Sequence, residues 1–332
     1  MFNKKKNLDG SIKKLTYQKI KYHLWTYFVL KILKDTSVYF YLYKSFWQSV
    51  LNFNLNFNNI NKNQKNYMSI EVNPGGGVGH QLANYNSAIW YAKKFNLIHA
   101  HTSFPNKKWE KLLGFNYSTI CLENLINKGY KKIKLPLFKE KDLIEISKIK
   151  KIIHSYKNKK IIFFLEFDQP YTKQYQIAEI LKEKFFSAKQ RSKDKLIYNE
   201  KNFNIAVHIR VGDIMNNEKL MNERFLDVNY FIKVINKSLS IIKTPKKKII
   251  HIFSANKLDS LSKLANFENI KFCHNLNHYK TFLHFVYADL LITSKSSFSY
   301  KAALINRGIK LCPKQFWHKY PKNNKNWVLI DV

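Results

Sequence analysis

The stretch from Ile205 to Asp213 reads Ile-Ala-Val-His-Ile-Arg-Val-Gly-Asp and joins a short apolar run to a polar end. The run predicts a buried strand, because a parallel strand covered on both faces needs apolar residues in succession. Side chains alternate along a strand, so His208 and Arg210 point to the same side. Gly212 permits a turn, and Asp213 either orients Arg210 or caps the next element. The stretch therefore predicts a guanidinium at a strand's carboxyl end, although a structural ion pair would give the same string.

Short apolar runs recur on the C-terminal side of this strand, and each is separated from the next by enough residues for a helix. The predicted strands are Ile205–Ile209, Ile249–Phe253, Ile270–Cys273, Leu290–Thr293 and Ile309–Cys312. The predicted helices between them are Val228–Ile241, Leu258–Ala265, Tyr279–Ala288 and Ser297–Asn306. Strands that alternate with crossover helices favour a parallel, doubly wound sheet.

The same alternation is found upstream. The predicted elements there are strands at Ser69–Asn73, Leu97–Ala100 and Ile161–Phe167 and helices at His80–Phe95 and Gln176–Phe186. The sequence thus predicts two Rossmann-like α/β domains facing a cleft: an N-terminal domain, residues 68–200, and a C-terminal domain, residues 201–332. Ligands of such sheets bind at the carboxyl ends of the strands. Residues 1–67 are predicted to form a helical extension followed by an Asn-rich linker.

The N-terminal extension is aromatic and aliphatic between Tyr22 and Trp47. Four charged residues interrupt it, so no apolar run reaches the length of a spanning helix: Lys31, Lys34, Asp35 and Lys44. Two interpretations remain open. The segment is either a basic, aromatic helix that lies in the interface of an anionic membrane, or a helical cap packed on the α/β domains.

The chain carries a large positive charge, with 58 Lys and Arg against 22 Asp and Glu and a net charge of +36. Such a charge fits a polyanionic partner, an anionic membrane or a phosphorylated substrate. It equally fits a solvated lysine-rich surface, because the lysines are spread along the whole sequence. No zinc-finger spacing, RNP-like stretch or clear helix-turn-helix is present, so no nucleic-acid partner is expected.

Three cysteines, Cys121, Cys273 and Cys312, lie far apart in the sequence and form no CxxC pair. Their number and spacing argue against a disulfide framework and against a zinc site, which favours a reducing compartment. No apolar run followed by a small-residue cleavage site is found. We therefore expect a cytoplasmic protein, peripheral to the membrane if the extension binds lipid, rather than one of the Golgi lumen.

A glycine-rich loop, Pro74-Gly-Gly-Gly-Val-Gly-His-Gln81, joins the first predicted strand to a helix. Glycines such as Gly77 and Gly79 let the backbone approach a ligand, and a helix start offers free N–H groups to an anion or a sugar hydroxyl. The loop is neither a clean dinucleotide fingerprint, because His80 stands at its end, nor a Walker motif. A turn that only packs the helix on the strand is the alternative.

A serine-rich segment, Thr293-Ser-Lys-Ser-Ser-Phe-Ser299, lies between a predicted strand and a helix. The hydroxyls of Ser296 and Ser297, together with the amides of the helix start, suit a diphosphate, and Phe298 lies beside them. Ordinary capping of the helix by one serine is the alternative.

Together these three motifs resemble those of fucosyltransferases of the α1,2, α1,6 and protein-O types. Those enzymes carry a glycine loop after the first strand, a strand ending in an HxRxGD-like motif, and a late Ser-Ser-Phe-Ser segment. The layout is most similar to the α1,2-fucosyltransferase family, glycosyltransferase family 11, to which Phe167-Asp-Gln169 and Phe253-Ser254 also correspond. Departures are His80 where Asn is usual, Val211 in place of a second Arg, and Tyr300-Lys301 after the serines.

The resemblance implies a GT-B-like fold and a metal-independent, inverting transfer of L-fucose from GDP-fucose to a glycan acceptor. The absence of an Asp-x-Asp motif agrees with an enzyme that needs no metal or other cofactor. The residues expected to bind the donor are Gly77, Gly79, His80, His208, Arg210, Ser296, Ser297 and Phe298. Arg210 and the two serines would then stabilise the leaving GDP.

Inversion also requires a base that takes a proton from the acceptor hydroxyl. Glu218 falls where the α1,6 type has a base-like carboxylate, but a solvated loop residue is the simpler interpretation. Asp213 and His80 are further candidates, and the sequence leaves the choice open.

Two other functions remain compatible with the sequence. The first is a GT-B glycosyltransferase that uses a different nucleotide sugar. The second, of another class, is a basic protein without catalytic activity that binds membranes or nucleic acids.

Overall fold

Two parallel β-sheets organise the chain in the computed structural model, which describes residues 23–52, 65–72, 77–115, 119–255, 259–274 and 276–332. The first sheet has the order β3-β2-β1-β5-β4. Its strands are β1 (Tyr67–Ile70), β2 (Ile98–His101), β3 (Ile120–Cys121), β4 (Lys131–Lys134) and β5 (Ile161–Leu165). Every pair in it is parallel, and β1 pairs with β5 from Tyr67 opposite Ile162 to Ile70 opposite Leu165.

The second sheet has six strands in the order β11-β10-β9-β6-β7-β8, and all of its pairs are parallel. Its strands are β6 (Phe203–Ile209), β7 (Lys248–Ser254), β8 (Ile270–Phe272), β9 (Leu290–Ile292), β10 (Ile309–Pro313) and β11 (Trp327–Ile330). This is the strand order of a doubly wound Rossmann sheet, with its switch point between β6 and β9. The predicted α/β fold with two parallel sheets is confirmed.

The α-helices of the described residues accompany these strands. They are α1 (Lys44–Asn52), α2 (Val78–Lys94), α3 (Lys107–Leu113), α4 (Leu122–Asn127), α5 (Leu143–Ser155), α6 (Ala178–Ser187), α7 (Glu218–Arg224), α8 (Val228–Ile241), α9 (His278–Tyr287) and α10 (Ser297–Ile305). Short 3₁₀ segments lie at Tyr39–Leu42, Gln174–Ile177, Lys189–Lys193, Asp213–Asn216 and Asp259–Asn266, and a π-helix at Trp25–Leu33. Among the described residues, no helix has both the length and the apolar character that crossing a membrane requires.

Some predicted elements differ from those observed. The first strand, expected at Ser69–Asn73, is found at Tyr67–Ile70, and residues 73–76 lie outside the described residues. The helix expected at Leu258–Ala265 is 3₁₀, and that expected at Gln176–Phe186 is preceded by a 3₁₀ turn. The Asn-rich linker falls mostly on residues 53–64, which also lie outside the described residues.

The N-terminal extension packs on the first sheet through a buried polar network. The hydroxyl of Tyr43 donates to Glu166 at 3.2 Å, and the hydroxyl of Tyr39 accepts from the backbone N–H of Leu137 at 2.9 Å. Lys134, on strand β4, lies 3.1 Å from the other oxygen of Glu166. Burial raises the pKa of the Glu166 carboxyl, and Lys134 opposes that rise. The extension is therefore anchored to the N-terminal domain by paired polar groups.

Candidate functional site

Two helices, one from each α/β domain, meet at their N-termini. Gly77 caps α2, and Ser296 caps α10 with its hydroxyl 3.3 Å from the backbone N–H of Phe298. A Cβ atom built on Gly79 would lie 2.7 Å from the nitrogen of Phe298 and 2.8 Å from the carbonyl carbon of Ser297. Only glycine fits at residue 79, because backbone atoms cannot yield as a flexible side chain does. The predicted glycine loop and serine segment are thus brought together.

A cavity of 510 Å³ opens where these helices meet, and we call it the basic cavity. It is lined by Gly77, Val78, Gly79, His80, Arg210, Arg224, Lys295, Ser296, Ser297, Phe298 and Trp317. Two guanidinium groups and an ammonium group lie among these residues, and no carboxylate does among those described. The helix N-termini add positive partial charge. The basic cavity is therefore suited to an anion.

Arg210 is held at the end of β6 by a link to the neighbouring strand. Its backbone N–H donates to the hydroxyl of Ser294 at 3.1 Å, and that hydroxyl donates to the carbonyl of His208. Ser294 follows β9, so the bond closes the switch point of the sheet. The prediction that Arg210 stands at a strand's carboxyl end agrees with this geometry.

Four residues that line the basic cavity were not predicted as site residues from the sequence: Val78, Arg224, Lys295 and Trp317. Arg224 ends α7, and its guanidinium lies 5.0 Å from the ring centre of Trp317. Lys295 follows β9 within the serine segment. For Arg224 and Trp317 no local motif signals a role, because only the folded chain brings them to Arg210. Lys295 lies within the serine-rich segment Thr293–Ser299, and its positive charge there is a signal for an anion site.

A second cavity, of 350 Å³, shares Arg210 and Phe298 with the first, and we call it the aromatic cavity. Its other lining residues are His208, Phe253, Ser254, Ala255, His274, Leu276, His278 and Thr281. The hydroxyl of Ser254 and Nδ1 of His274 are 2.8 Å apart, which fixes the ring of His274. Rings and a few polar groups around a concave space suit a flat heterocycle.

His208 supports the site in the neutral form. Its side chain is buried, and burial together with the nearby Arg210 lowers the pKa of His208 to about 3. Its ring packs against Phe285 and Phe298, with centroids 5.1 and 6.0 Å apart. The residue lines the aromatic cavity, where a ring face rather than a charge is presented.

His80 carries an acidic partner that the sequence did not reveal. Its Nε2 lies 2.6 Å from Oδ1 of Asp168, and the amide of Asn84 donates to the same oxygen at 3.1 Å. Asp168 has a φ of 61°, a left-handed conformation uncommon for a residue with a side chain. His80 and Asp168 are 88 residues apart in the sequence, so no local pattern connects them.

The other two candidate bases are placed differently. Glu218 lies in the first turn of α7 and is exposed, and it is not among the residues that line either cavity. The structure therefore does not bring Glu218 to the site. Asp213 begins a 3₁₀ turn, and its side chain lies outside the described residues.

A buried polar chain leads away from Ser297. The hydroxyl of Ser297 is 3.3 Å from Nε2 of His318, and the ammonium nitrogen of Lys301 is 3.2 Å from the same atom. Lys301 also donates to Gln174, whose side-chain oxygen accepts from Asn86 at 2.9 Å. Burial lowers the pKa of Lys301 well below the ordinary value of lysine, and burial and Lys301 lower the pKa of His318. The chain joins the two domains behind the basic cavity.

No group of three or more His, Cys, Asp or Glu side chains that would hold a metal ion is found in the described part of the chain. The cysteines of this part are free thiols, and burial raises the pKa of Cys273 to about 11 and that of Cys312 to about 12.

Comparison with known proteins gives no family assignment. No protein-family model matches the chain. No curated protein matches it significantly.

Several solved structures align with the chain at low similarity. A mutant of Arabidopsis thaliana FUT1 in complex with GDP is 11% identical, with a TM-score of 0.46, over 93% of this chain and 80% of that one. POFUT1 in complex with GDP is 11% identical, with a TM-score of 0.43, over 81% and 99%. The fucosyltransferase NodZ from Bradyrhizobium is 10% identical, with a TM-score of 0.42, over 73% and 94%. All three TM-scores are below 0.5. The fold follows from the strand order of the chain itself.

Proposed function

We propose that the chain is a glycosyltransferase that moves L-fucose from GDP-fucose to a hydroxyl of a glycan acceptor, with inversion and without a metal. The observation that carries this proposal is that Arg210 and Phe298 line both the basic and the aromatic cavity. A ligand that fills both must be a flat ring joined to an anion. A nucleoside diphosphate sugar has that form.

The aromatic cavity takes the nucleobase in this proposal. Phe253 and His208 line it with their rings, and Ser254 and His274 line it with polar groups. Stacking on rings and a few hydrogen bonds are the usual means of holding a heterocycle in a pocket.

The diphosphate then lies in the basic cavity. Arg210 and Arg224 each present a planar fork of donors that matches phosphate oxygens, and Lys295 adds a third positive charge. The amides at the start of α10 contribute further donors. Negative charge grows on the diphosphate as its bond to the sugar breaks, so these groups stabilise the transition state. They supply the charge that a divalent metal supplies in other transferases.

The choice of GDP-fucose as the donor and of an α1,2 linkage in the product rests on the motif layout. The glycine loop, the strand end at Arg210 and the segment Ser296–Ser299 occur in the order that the α1,2-fucosyltransferase family shows. An enzyme that uses another nucleotide sugar would need the same two cavities, so donor identity is the property to measure first.

A donor panel tests the proposal. We expect GDP and GDP-fucose to raise the melting temperature of the purified chain more than UDP, CMP or dTDP sugars, because a ligand that binds only the folded state stabilises it. GDP release from GDP-fucose should persist in EDTA, and Arg210→Ala should remove most of it while Arg307→Ala, an exposed arginine outside both cavities, should not. Stabilisation by a different nucleotide would assign another donor. No stabilisation by any nucleotide, or normal turnover by Arg210→Ala, would reject the proposed site.

A further inference from the structure

The pair of His80 and Asp168 reaches the basic cavity from the N-terminal domain. His80 stands in the first turn of α2, and Asp168 follows β5 by three residues. Their side chains are 50% and 39% exposed, so the pair faces the opening rather than the core. The groups suited to phosphate belong to the C-terminal domain: Arg210, Arg224 and Lys295.

Asp168 is held from more than one direction. The amide of Asn84, one helical turn beyond His80 on α2, donates to the same oxygen that faces the imidazole. Asn84 is buried, and the left-handed backbone of Asp168, with φ at 61°, aims the carboxylate back at the helix. A non-glycine residue in this region is maintained only when its surroundings require it, and such residues cluster at functional sites.

We propose that His80 is the general base of the transfer and that Asp168 is the residue that positions it; this rests on the proposed function. The carboxylate of Asp168 favours the tautomer with the proton on Nε2, which leaves the lone pair of Nδ1 to accept a proton. As in a His–carboxylate pair of a hydrolase, the carboxylate also stabilises the imidazolium that forms.

The transfer is a single displacement at the anomeric carbon of fucose. The acceptor oxygen forms a bond to the anomeric carbon of fucose while its proton passes to Nδ1 of His80. The bond between that carbon and the diphosphate oxygen breaks, and its electron pair leaves with GDP. The imidazolium then returns its proton to solvent, which the half-exposed ring contacts directly.

The position of His80 fits an inverting reaction. Inversion requires the nucleophile and the leaving group on opposite faces of the sugar. The base enters the basic cavity from the N-terminal domain, whereas the residues for the diphosphate enter from the C-terminal domain. Glu218 belongs to the C-terminal domain and lies outside the lining of the cavity. It therefore does not approach the sugar from the side opposite the diphosphate.

Hydrolysis of GDP-fucose tests the proposal without knowledge of the acceptor, because water then takes the acceptor's place. We expect His80→Ala and His80→Gln each to lower the rate of GDP release about 100-fold, within the usual range for loss of a general base. The glutamine side chain of the second variant retains a donor for the Asp168 carboxylate but accepts no proton at neutral pH. Asp168→Asn should also lower the rate, because the amide favours the wrong tautomer. Binding of GDP, measured by calorimetry, should change less than about 3-fold in all three variants.

Added imidazole separates a base from a structural support. It should restore part of the rate of His80→Ala and leave the wild type and Asp168→Asn unchanged. Full activity of His80→Gln would show that only the hydrogen bond to Asp168 matters and would overturn the assignment. Loss of GDP binding in His80→Ala would overturn it as well and assign the residue to the donor. A wild-type chain that binds no nucleotide would instead reject the proposed function.

A second, independent feature is the outward face of the π-helix Trp25–Leu33. Four large apolar residues spaced by one to four positions are more than half exposed on it or at its start: Leu24 (53%), Tyr27 (56%), Phe28 (52%) and Ile32 (52%). The opposite side, with Trp25 and Val29, packs into the core of the N-terminal domain. The helix is thus fixed in place while it presents a row of rings and aliphatic chains.

The part of the sequence that carries this face is positively charged. Lys31 lies on the same helix, with its ammonium group 5.9 Å from the ring centre of Tyr27. The first 22 residues of the sequence contain seven lysines and a single acidic residue, Asp9. Apolar groups flanked by lysines bind the interface of an anionic bilayer, since the rings insert among the headgroups and the lysines contact them. We infer that this face docks on an anionic lipid surface.

Sedimentation with vesicles tests the inference. The full chain should bind vesicles that contain a quarter of phosphatidylglycerol at least about 10-fold more strongly than neutral phosphatidylcholine vesicles, and salt should weaken the binding. The double variant Phe28→Glu with Ile32→Glu should lose it. The matched control is Leu143→Glu with Ile144→Glu, an apolar pair 79% and 71% exposed on α5.

Equal binding by the two double variants would overturn the inference. A wild-type chain that ignores vesicles but dimerises in ultracentrifugation, and is monomeric after Phe28→Glu with Ile32→Glu, would also overturn it and assign the face to a second copy of the chain.

Discussion

Gly79 and Phe298 are in backbone contact across the two domains, since a Cβ on Gly79 would lie 2.7 Å from the nitrogen of Phe298. The contact joins the start of α2 to the start of α10. Both helix N-termini therefore point into one cavity, and their relative position depends on the absence of a side chain at residue 79. The glycine shapes the basic cavity because it allows the two helix starts to approach closely.

Gly79→Ala should destabilise the chain and weaken its binding of GDP. Forcing a methyl group into a packed backbone contact costs about 1–3 kcal/mol of unfolding free energy. The matched variant is Gly77→Ser, because a Cβ there would meet no described atom within 4 Å and the φ of −62° suits any residue. Serine is also a favoured helix cap. Urea unfolding compares the two, and equal stability of Gly79→Ala and the wild type would contradict the close contact.

Arg224→Lys should weaken GDP binding although the charge is kept. Lysine cannot give two parallel hydrogen bonds to a phosphate or stack on Trp317, which lies 5.0 Å from the guanidinium. A lost charge-assisted hydrogen bond is worth about 1.5–3 kcal/mol, so we expect binding to fall about 10- to 100-fold. Arg307→Lys is the control, because Arg307 stacks on Phe186 away from both cavities. Calorimetry with GDP measures both, and similar affinities would remove Arg224 from the site.

Five of the six strands of the second sheet were predicted from short apolar runs, and β6, β7, β9 and β10 are largely buried. The edge strand β11 (Trp327–Ile330) is partly exposed and was not predicted. The run at Ile205–Ile209 predicts most of β6, which extends from Phe203 to Ile209. Strand β4 reads Lys-Lys-Ile-Lys and lies at an edge of the first sheet, where polar residues are tolerated. Such a strand gives no hydrophobic signal, so the sequence does not predict it.

The residues of the candidate site also divide into those with a local signal in the sequence and those without one. Arg210 and the two helix starts have local signals, namely an apolar strand before a charge and a loop before a helix. Arg224 and Asp168 have none, because their relation to Arg210 and His80 exists only through the fold. The sequence therefore predicts the elements that surround the two cavities better than it predicts the side chains that complete their lining.

Tyr43→Phe should loosen the attachment of the N-terminal extension. The lost hydroxyl donates to Glu166, a fully buried carboxyl, so its removal leaves an acceptor less well satisfied and costs about 1–3 kcal/mol. Tyr41→Phe removes the same atom from a side chain that is 49% exposed and should change stability by less than about 0.5 kcal/mol. Thermal unfolding of both variants checks the difference. Equal melting temperatures would mean that the Tyr43 hydroxyl does not contribute to the packing of the extension.

Lys301 should make the stability of the chain depend on pH. Its side-chain nitrogen Nζ is buried beside Gln174 and the neutral His318, so desolvation lowers the pKa of Lys301 in the folded state. Between that lowered pKa and about 10.4, the ordinary value of lysine, the unfolded chain binds one more proton than the folded chain. The contribution of this lysine therefore makes the free energy of unfolding rise with pH across that window. The free energy is lowest at the acid end of the window.

Lys301→Met removes the titrating group and keeps a side chain of similar length. Within that window below about pH 10.4, the free energy of unfolding of the wild type should rise relative to that of Lys301→Met by up to about 1.4 kcal/mol for each pH unit, the value for one proton. Urea unfolding of both proteins at several pH values measures this difference. Lys263→Met is the control, because Lys263 is exposed on the 3₁₀ segment Asp259–Asn266. Parallel curves for the wild type and Lys301→Met would show that Lys301 titrates alike in the folded and unfolded chain, and would contradict its burial as a neutral amine.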